Sequence, residues 1–285
     1  MNNLLVTISL ISIILIIIFI IAIVVYFAVF NQASMHNISV GNNCDRNVYV
    51  RFGVLQSSGM TTFLPDRLLK HGETWLYKST PGAMIVIQGY HEGDLAPISS
   101  PNPLTTVKLV LSGQGFQGKG QITDGNVIID NLELSTDSVD KYGVSMQDGY
   151  NIPISILSTG NNNKDSSNPF SCIGPNWDYT IAATGPHACP TELVYPGNII
   201  SPEGPLVYQS CTSPCTSLGG TAYCCAEPNI CVAEDGCQSQ WPEQSYYNLF
   251  AGACAKCMIT DCDQLNYSCS SVGGLTEYSI TFCPN

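Results

Sequence analysis

Thirteen of the 14 cysteines fall between Cys172 and Cys283, and the remaining one, Cys44, stands far upstream. The number is even, and disulfides persist only in oxidising compartments. The pattern therefore predicts a disulfide-stapled domain outside the reducing interior. Zinc is the alternative, because Cys254-x2-Cys257 followed by Cys262 and Cys269 has thiolate spacing. No second CxxC completes a zinc ribbon, however, and none of the four His sits near this cluster. A redox CxxC is weaker still, since no βαβ pattern surrounds Cys254. The expectation is no metal and no cofactor. Two N-glycosylation sequons, at Asn37 and Asn266, fit an oxidising compartment.

All of these cysteines follow an apolar run. Leu4 to Phe30 holds 27 residues and no charged side chain, and about 20 are enough to cross a bilayer as a helix. A cleaved signal peptide needs a basic start and a core of about 7–15 apolar residues. Met1-Asn2-Asn3 offers no base, and the core is too long. A buried soluble helix is disfavoured by the many β-branched residues. The reading is a tip over 1–3, a transmembrane helix over 4–30 with the lipid bilayer as partner, and a polar stalk over 31–37. Arg46 and Arg51 weakly favour a cytosolic C-terminal part. The cysteines outweigh them, which gives a single-pass protein whose C-terminal part is extracellular, lumenal or on a virion surface.

Charge excludes other classes. The net charge is −12 with only 10 Lys+Arg, so nucleic acid is not an expected partner. With 45% hydrophobic and 11% charged residues, disorder is excluded as well.

Beyond the stalk, the chain reads as short strands separated by Gly, Pro, Asn or Asp clusters. Examples are residues 47–55, 73–79, 83–90, 106–113, 126–134, 141–147 and 152–157. β-branched and aromatic enrichment without a helical period signals an all-β sandwich or barrel. Gly113–Gly120 has phosphate-loop glycines, but Gly120 follows Lys119 where Ser or Thr would hold magnesium. It reads as a hairpin loop.

Several motifs now resemble the thaumatin-like family, which includes osmotin. They are Tyr142-Gly143-Val144-Ser145-Met146-Gln147-Asp148-Gly149-Tyr150-Asn151-Ile152-Pro153, Ala188-Cys189-Pro190-Thr191-Glu192-Leu193, Cys211-x3-Cys215 with Tyr223-Cys224-Cys225, and the ending Tyr278 to Pro284. Leu69 to Trp75 fits an early segment of the same family. The resemblance implies a mainly β protein: a thaumatin-like β-sandwich (about 38–171 plus 270–285) with a disulfide-rich second domain (about 172–269), preceded by one transmembrane helix. It further implies the bridges Cys44–Cys283, Cys172–Cys269, Cys189–Cys211, Cys215–Cys224 and Cys225–Cys231. Cys237, Cys254, Cys257 and Cys262 are left without assigned partners. Residues 91–121 contain no Cys, so the family's small third domain should be reduced or loop-like.

The family carries an acidic cleft linked to β-1,3-glucan binding and weak hydrolysis, built from one Arg, one Glu and three Asp. Here Gln88 stands at the Arg position and Gly143 at the first Asp. Glu133 and Asp148 match the Glu and the second Asp, and Asp263, or Asp261, matches the third. Glycoside hydrolysis needs two carboxyls flanking the glycosidic oxygen, one protonated and one ionised. Glu133 and Asp148 are the candidate pair, with Gln88, Asp263 and Asp261 as ligand-binding candidates. Two departures in five positions favour binding of a polysaccharide such as β-glucan, or of another surface ligand, through the acidic cleft without turnover. A weak endo-β-1,3-glucanase and a structural surface protein are the alternatives. Trp177, Trp241, Tyr246, Tyr247 and Phe250 read first as core filling and second as sugar-stacking surfaces.

Overall fold

The computed structural model describes residues 16–21, 36–55, 61–92, 104–111, 118–124, 127–134, 139–159, 189–194, 210–219, 221–224, 244–254, 257–260, 263, 267–270 and 277–284. Two sheets stack around one core. The four-stranded sheet runs β11 (Ile154–Thr159), β14 (Glu277–Phe282), β1 (His36–Asn42), β4 (Thr74–Ser79). The six-stranded sheet runs β13 (Tyr267–Ser270), β9 (Val139–Ser145), β6 (Thr106–Val110), β5 (Met84–His91), β2 (Val48–Leu55), β3 (Thr61–Leu69). A hairpin of β7 (Gly118–Asp124) and β8 (Val127–Leu134) lies beside β2 and β3. A short pair, β10 (Gly149–Tyr150) and β12 (Cys211–Thr212), completes the strands.

Period-2 alternation explains the packing. In β2, Val48, Val50, Phe52 and Val54 turn inward and are buried. Ile85 and Ile87 of β5, Val107 and Leu109 of β6, and Tyr142 and Val144 of β9 join them. From the other sheet come Ile38, Val40, Ile154, Ile156, Tyr278, Ile280 and Phe282. Burying each such side chain contributes about 1.5–3 kcal/mol. Phe52 meets the Trp75 and Tyr77 rings at centroid distances of 5.3 and 4.5 Å. Gly89 is required beneath Phe282, where a Cβ would fall 2.4 Å from Cε1 of that ring.

β1 pairs in parallel with β14 and antiparallel with β4. It begins at His36, so the last two residues read as stalk belong to the sheet. Those residues alternate buried and half-buried with the rest of β1, and both neighbouring strands hydrogen-bond to it. Just beyond the ends of β1 and β14, Cys44 and Cys283 are joined with Cα atoms 4.9 Å apart. Closing a loop of 239 residues stabilises by about 5 kcal/mol in the chain-entropy description. Cys189–Cys211 and Cys215–Cys224 are also bridged. Cys254 pairs with Cys257, so these two thiols of the zinc alternative are joined to each other. Cys172, Cys225, Cys231, Cys237 and Cys262 lie outside the described residues.

Of the apolar run 4–30, only 16–21 are described; they are helical, with all six side chains exposed. Among the described residues no helix is long and apolar enough to cross a membrane.

The turn after β9 is a structural joint. Asn151 is buried; its Nδ2 donates to Gly89 O at 2.7 Å and its Oδ1 accepts from Thr105 N at 2.9 Å. The Asn151 amide also donates to Thr105 Oγ1. One side chain thereby holds β5 to the start of β6.

Candidate ligand-binding face

The residues that do not point into the core point to the other face of the six-stranded sheet. Strand register aligns Ser145 of β9 with Thr106 of β6, Thr106 with Gln88 of β5, and Gln88 with Arg51 of β2. Arg51 Nε lies 3.5 Å from Asp66 Oδ1, and Asp66 sits in β3 where the β2–β3 register shifts at a bulge. A bulge re-aims side chains. The result is a row of five polar residues spanning roughly 19 Å across five strands. Further along the same face, Leu55, Met84, Val86 and Val110 pack with Phe63 into a small apolar cluster. The face is thus divided into an apolar half and a polar half.

The polar half is internally wired. Gln88 is buried, and its Nε2 donates to Thr106 Oγ1 at 2.9 Å; that hydroxyl donates to Leu104 O. Lys108, on β6 between Val86 and Gly143, donates from Nζ to Gln147 Oε1 at 2.8 Å. Ser145 Oγ donates to the same oxygen, and Gln147 Nε2 donates to Thr260 O at 2.7 Å. Tyr90 donates its hydroxyl to Asp66 Oδ2 at 2.7 Å, and its ring stacks on Tyr49 at 5.3 Å. Burial first, then the hydrogen bond and charge of Asp66, push the Tyr90 hydroxyl pKa well up, so it stays a proton donor.

The acidic candidates have unequal roles. Asp148 is exposed at the turn into Gly149 (φ 130°), and its carbonyl accepts from Ser213 N. Asp263 is engaged locally: its Oδ2 accepts from Ile259 N and Thr260 N, both at 2.8 Å, and from Thr260 Oγ1 at 3.2 Å. Glu133 lies on β8 opposite Lys119 of β7. Gln88, Lys108, Gln147 and Thr260 are brought together, with Asp148 beside Gln147 and Asp263 behind Thr260. Asp261 and Asn266 lie outside the described residues. Asn37 is half-buried on β1 and donates from Nδ2 to Glu277 Oε1.

Sequence reasoning passed over Arg51, Asp66, Tyr90, Lys108 and Gln147. The signal for two of them was present: a single cation on the polar beat of an otherwise apolar strand, in Val48-Tyr49-Val50-Arg51-Phe52 and Thr106-Val107-Lys108-Leu109. Of the aromatic residues in the Cys-rich half, Tyr246 and Phe250 are buried in the main core, where Phe250 meets Tyr150 edge-on at 5.2 Å.

A second titratable cluster is sealed between the sheets. Asp140 Oδ2 accepts the Tyr278 hydroxyl at 2.7 Å and lies 3.0 Å from His36 Nε2, close enough for an ion pair but without hydrogen-bond alignment. Burial, then the Asp140 charge, raise the Tyr278 pKa well above its ordinary value. All three groups are at most 1% exposed, so this cluster ties the core and meets no ligand.

The Thaumatin family model matches residues 113–284, more than half of the chain. The chain belongs to the thaumatin family. Thaumatin-like protein 1b of Malus domestica is 30% identical over 145 residues, covering 51% of this chain and 57% of its own. A protein of Prunus avium named glucan endo-1,3-beta-glucosidase is 29% identical over 145 residues, covering 51% and 49%. The chain spans about half the length of these relatives. Among solved structures, the thaumatin-like xylanase inhibitor aligns over 87% of this chain and 99% of its own, at 12% identity and a TM-score of 0.34.

Proposed function

We propose that this thaumatin-family chain binds a polysaccharide along the polar half of the outer sheet face, without hydrolysing it. The observation that carries the reading is the row Ser145–Thr106–Gln88–Arg51–Asp66. Ser145, Thr106 and Gln88 are buried, while Arg51 and Asp66, at 16% and 27% side-chain exposure, present a donor beside an acceptor, which suits a chain of hydroxyl-bearing units. The Prunus avium relative named a glucan endo-1,3-beta-glucosidase supports a β-1,3-glucan as the first ligand to test. Turnover is not part of the reading: Asp263 is tied to its own loop by three hydrogen bonds. A hydrolase needs a second carboxyl poised against the first.

The full chain should be retained on insoluble β-1,3-glucan. Asp148→Asn and Glu133→Gln test whether the acidic edge contributes. No retention would end the reading. Reducing ends released from laminarin between pH 4 and 7 would convert it to a hydrolase.

The proposal includes attachment to a bilayer through residues 4–30, with the remainder on the oxidising side. Support comes from the uncharged run itself and from disulfides at Cys44–Cys283, Cys189–Cys211, Cys215–Cys224 and Cys254–Cys257. Carbonate extraction tests the first part. Protease digestion of intact vesicles, with the bulk of the chain on the cytosolic side, would overturn the second.

A further inference from the structure

The outer face carries a cluster that the acidic candidates do not explain. Gln88 turns its amide to Thr106, so it brings no charge to the row. One strand away, directly opposite Gln88, stands Arg51, with its side chain 16% exposed. Its Nε faces one oxygen of Asp66, and the other oxygen takes the Tyr90 hydroxyl. Asp66, at 27% side-chain exposure, is thereby held from two sides. Tyr49 lies two residues from Arg51 on the same face of β2, half-buried and stacked on Tyr90.

We propose that Arg51, Asp66 and the Tyr49–Tyr90 pair form a sugar subsite at the β3 end of the row, selective for a neutral, hydroxyl-rich sugar over an acidic one. The inference rests on the polysaccharide-binding reading and names the ligand class for it. A guanidinium is a donor only and an ionised carboxylate an acceptor only. Side by side, they match two adjacent hydroxyls, each of which donates and accepts. A sugar carboxylate at the same place meets Asp66 at short range, and like charges brought together oppose binding. The chain's net charge of −12 acts in the same direction at longer range. Tyr49 offers an aromatic surface to the C–H face of the ring.

The test measures binding of the full chain to laminarin, a neutral glucan, and to polygalacturonate, with melting temperature recorded for every variant. Laminarin should bind more tightly than polygalacturonate. Arg51→Gln and Asp66→Asn should each weaken laminarin binding by about ten-fold or more. Arg51→Lys should keep more laminarin affinity than Arg51→Gln, because an ammonium at the same position is again a donor-only cation beside Asp66. Wild-type affinity in R51Q and D66N overturns the subsite while leaving polysaccharide binding intact. Tighter binding to polygalacturonate overturns the selectivity. Loss of binding in R51Q with a lowered melting temperature, and an equal loss in R51K, assigns Arg51 to packing, which also overturns it. Failure of the wild-type chain to bind either polymer overturns both readings together.

Discussion

The two faces of the six-stranded sheet are built from the same strands and obey different rules. Inward, Val50, Phe52, Ile87, Val107 and Leu109 interdigitate with the opposite sheet at almost no exposure. Outward, the intervening residues Arg51, Gln88, Thr106 and Lys108 connect through hydrogen bonds and charge. Apolar packing and polar connection are therefore interleaved at single-residue resolution, and a one-residue slip of register would exchange them. The inner face tolerates little change in volume. On the outer face Gln88, Thr106 and Lys108 are buried as well, and what sets the two faces apart is that these three are held by hydrogen bonds.

The largest break in that contrast should come from the inner face. Phe52→Ala removes a fully buried ring packed on Trp75 and Tyr77 and should cost about 3–5 kcal/mol in denaturant unfolding. Next in size is a pH effect at the inner end of β5. Burial first, then Arg46, lower the His91 pKa from 6.5 to about 4. In the unfolded chain this group takes its proton near pH 6.5, whereas in the fold it does so only near pH 4. Between those values the unfolded state binds more protons, so stability falls as pH falls, by at most about 3 kcal/mol. His91→Asn should flatten the stability profile across that window and leave the region above pH 6.5 unchanged in slope.

At the margin of the outer face the expected effects are smaller. Asp263→Ala leaves two backbone N–H groups, those of Ile259 and Thr260, without their carboxylate acceptor. It should cost about 1–3 kcal/mol and loosen the loop behind Gln147 in hydrogen exchange. The smallest effect is expected on the solvent face of the other sheet. Leu76 is 73% exposed on the edge strand β4, and Leu76→Ser should change stability by no more than about 0.5 kcal/mol. A large loss there would show that this face is covered by something else.

Much of the sandwich was legible because alternation survives in β2, β6 and β14, and because β5 opens on the continuous apolar run Met84–Ile87. β1, β3, β7, β13 and the short pair β10 and β12 were not, and the first two show why. His36–Asn42 carries two Asn and a Gly and has the polarity of a stalk; its conformation comes from the ladders of β14 and β4 on either side, which local sequence does not display. Thr61–Leu69 contains Pro65-Asp66 at its bulge, a pair that usually marks a turn and is tolerated here on an edge strand. In the candidate site, Asp263 was legible as a carboxylate but not as the cap of its own loop. That distinction depends on where the amides of residues 259 and 260 point. Arg51 and Gln88 stand 37 positions apart in the chain, and only antiparallel pairing makes them neighbours.

The placement of β1 has a mechanical consequence. The strand lies between two partners, parallel to one and antiparallel to the other, and Cys44 beyond its far end is linked to Cys283. A pull on the chain just before His36 would load both ladders in shear at once instead of peeling bonds one by one. The covalent link at the opposite end would then stop the strand from sliding out. A module gripped in this way can be dragged by its N-terminal end while its six-stranded sheet keeps its shape.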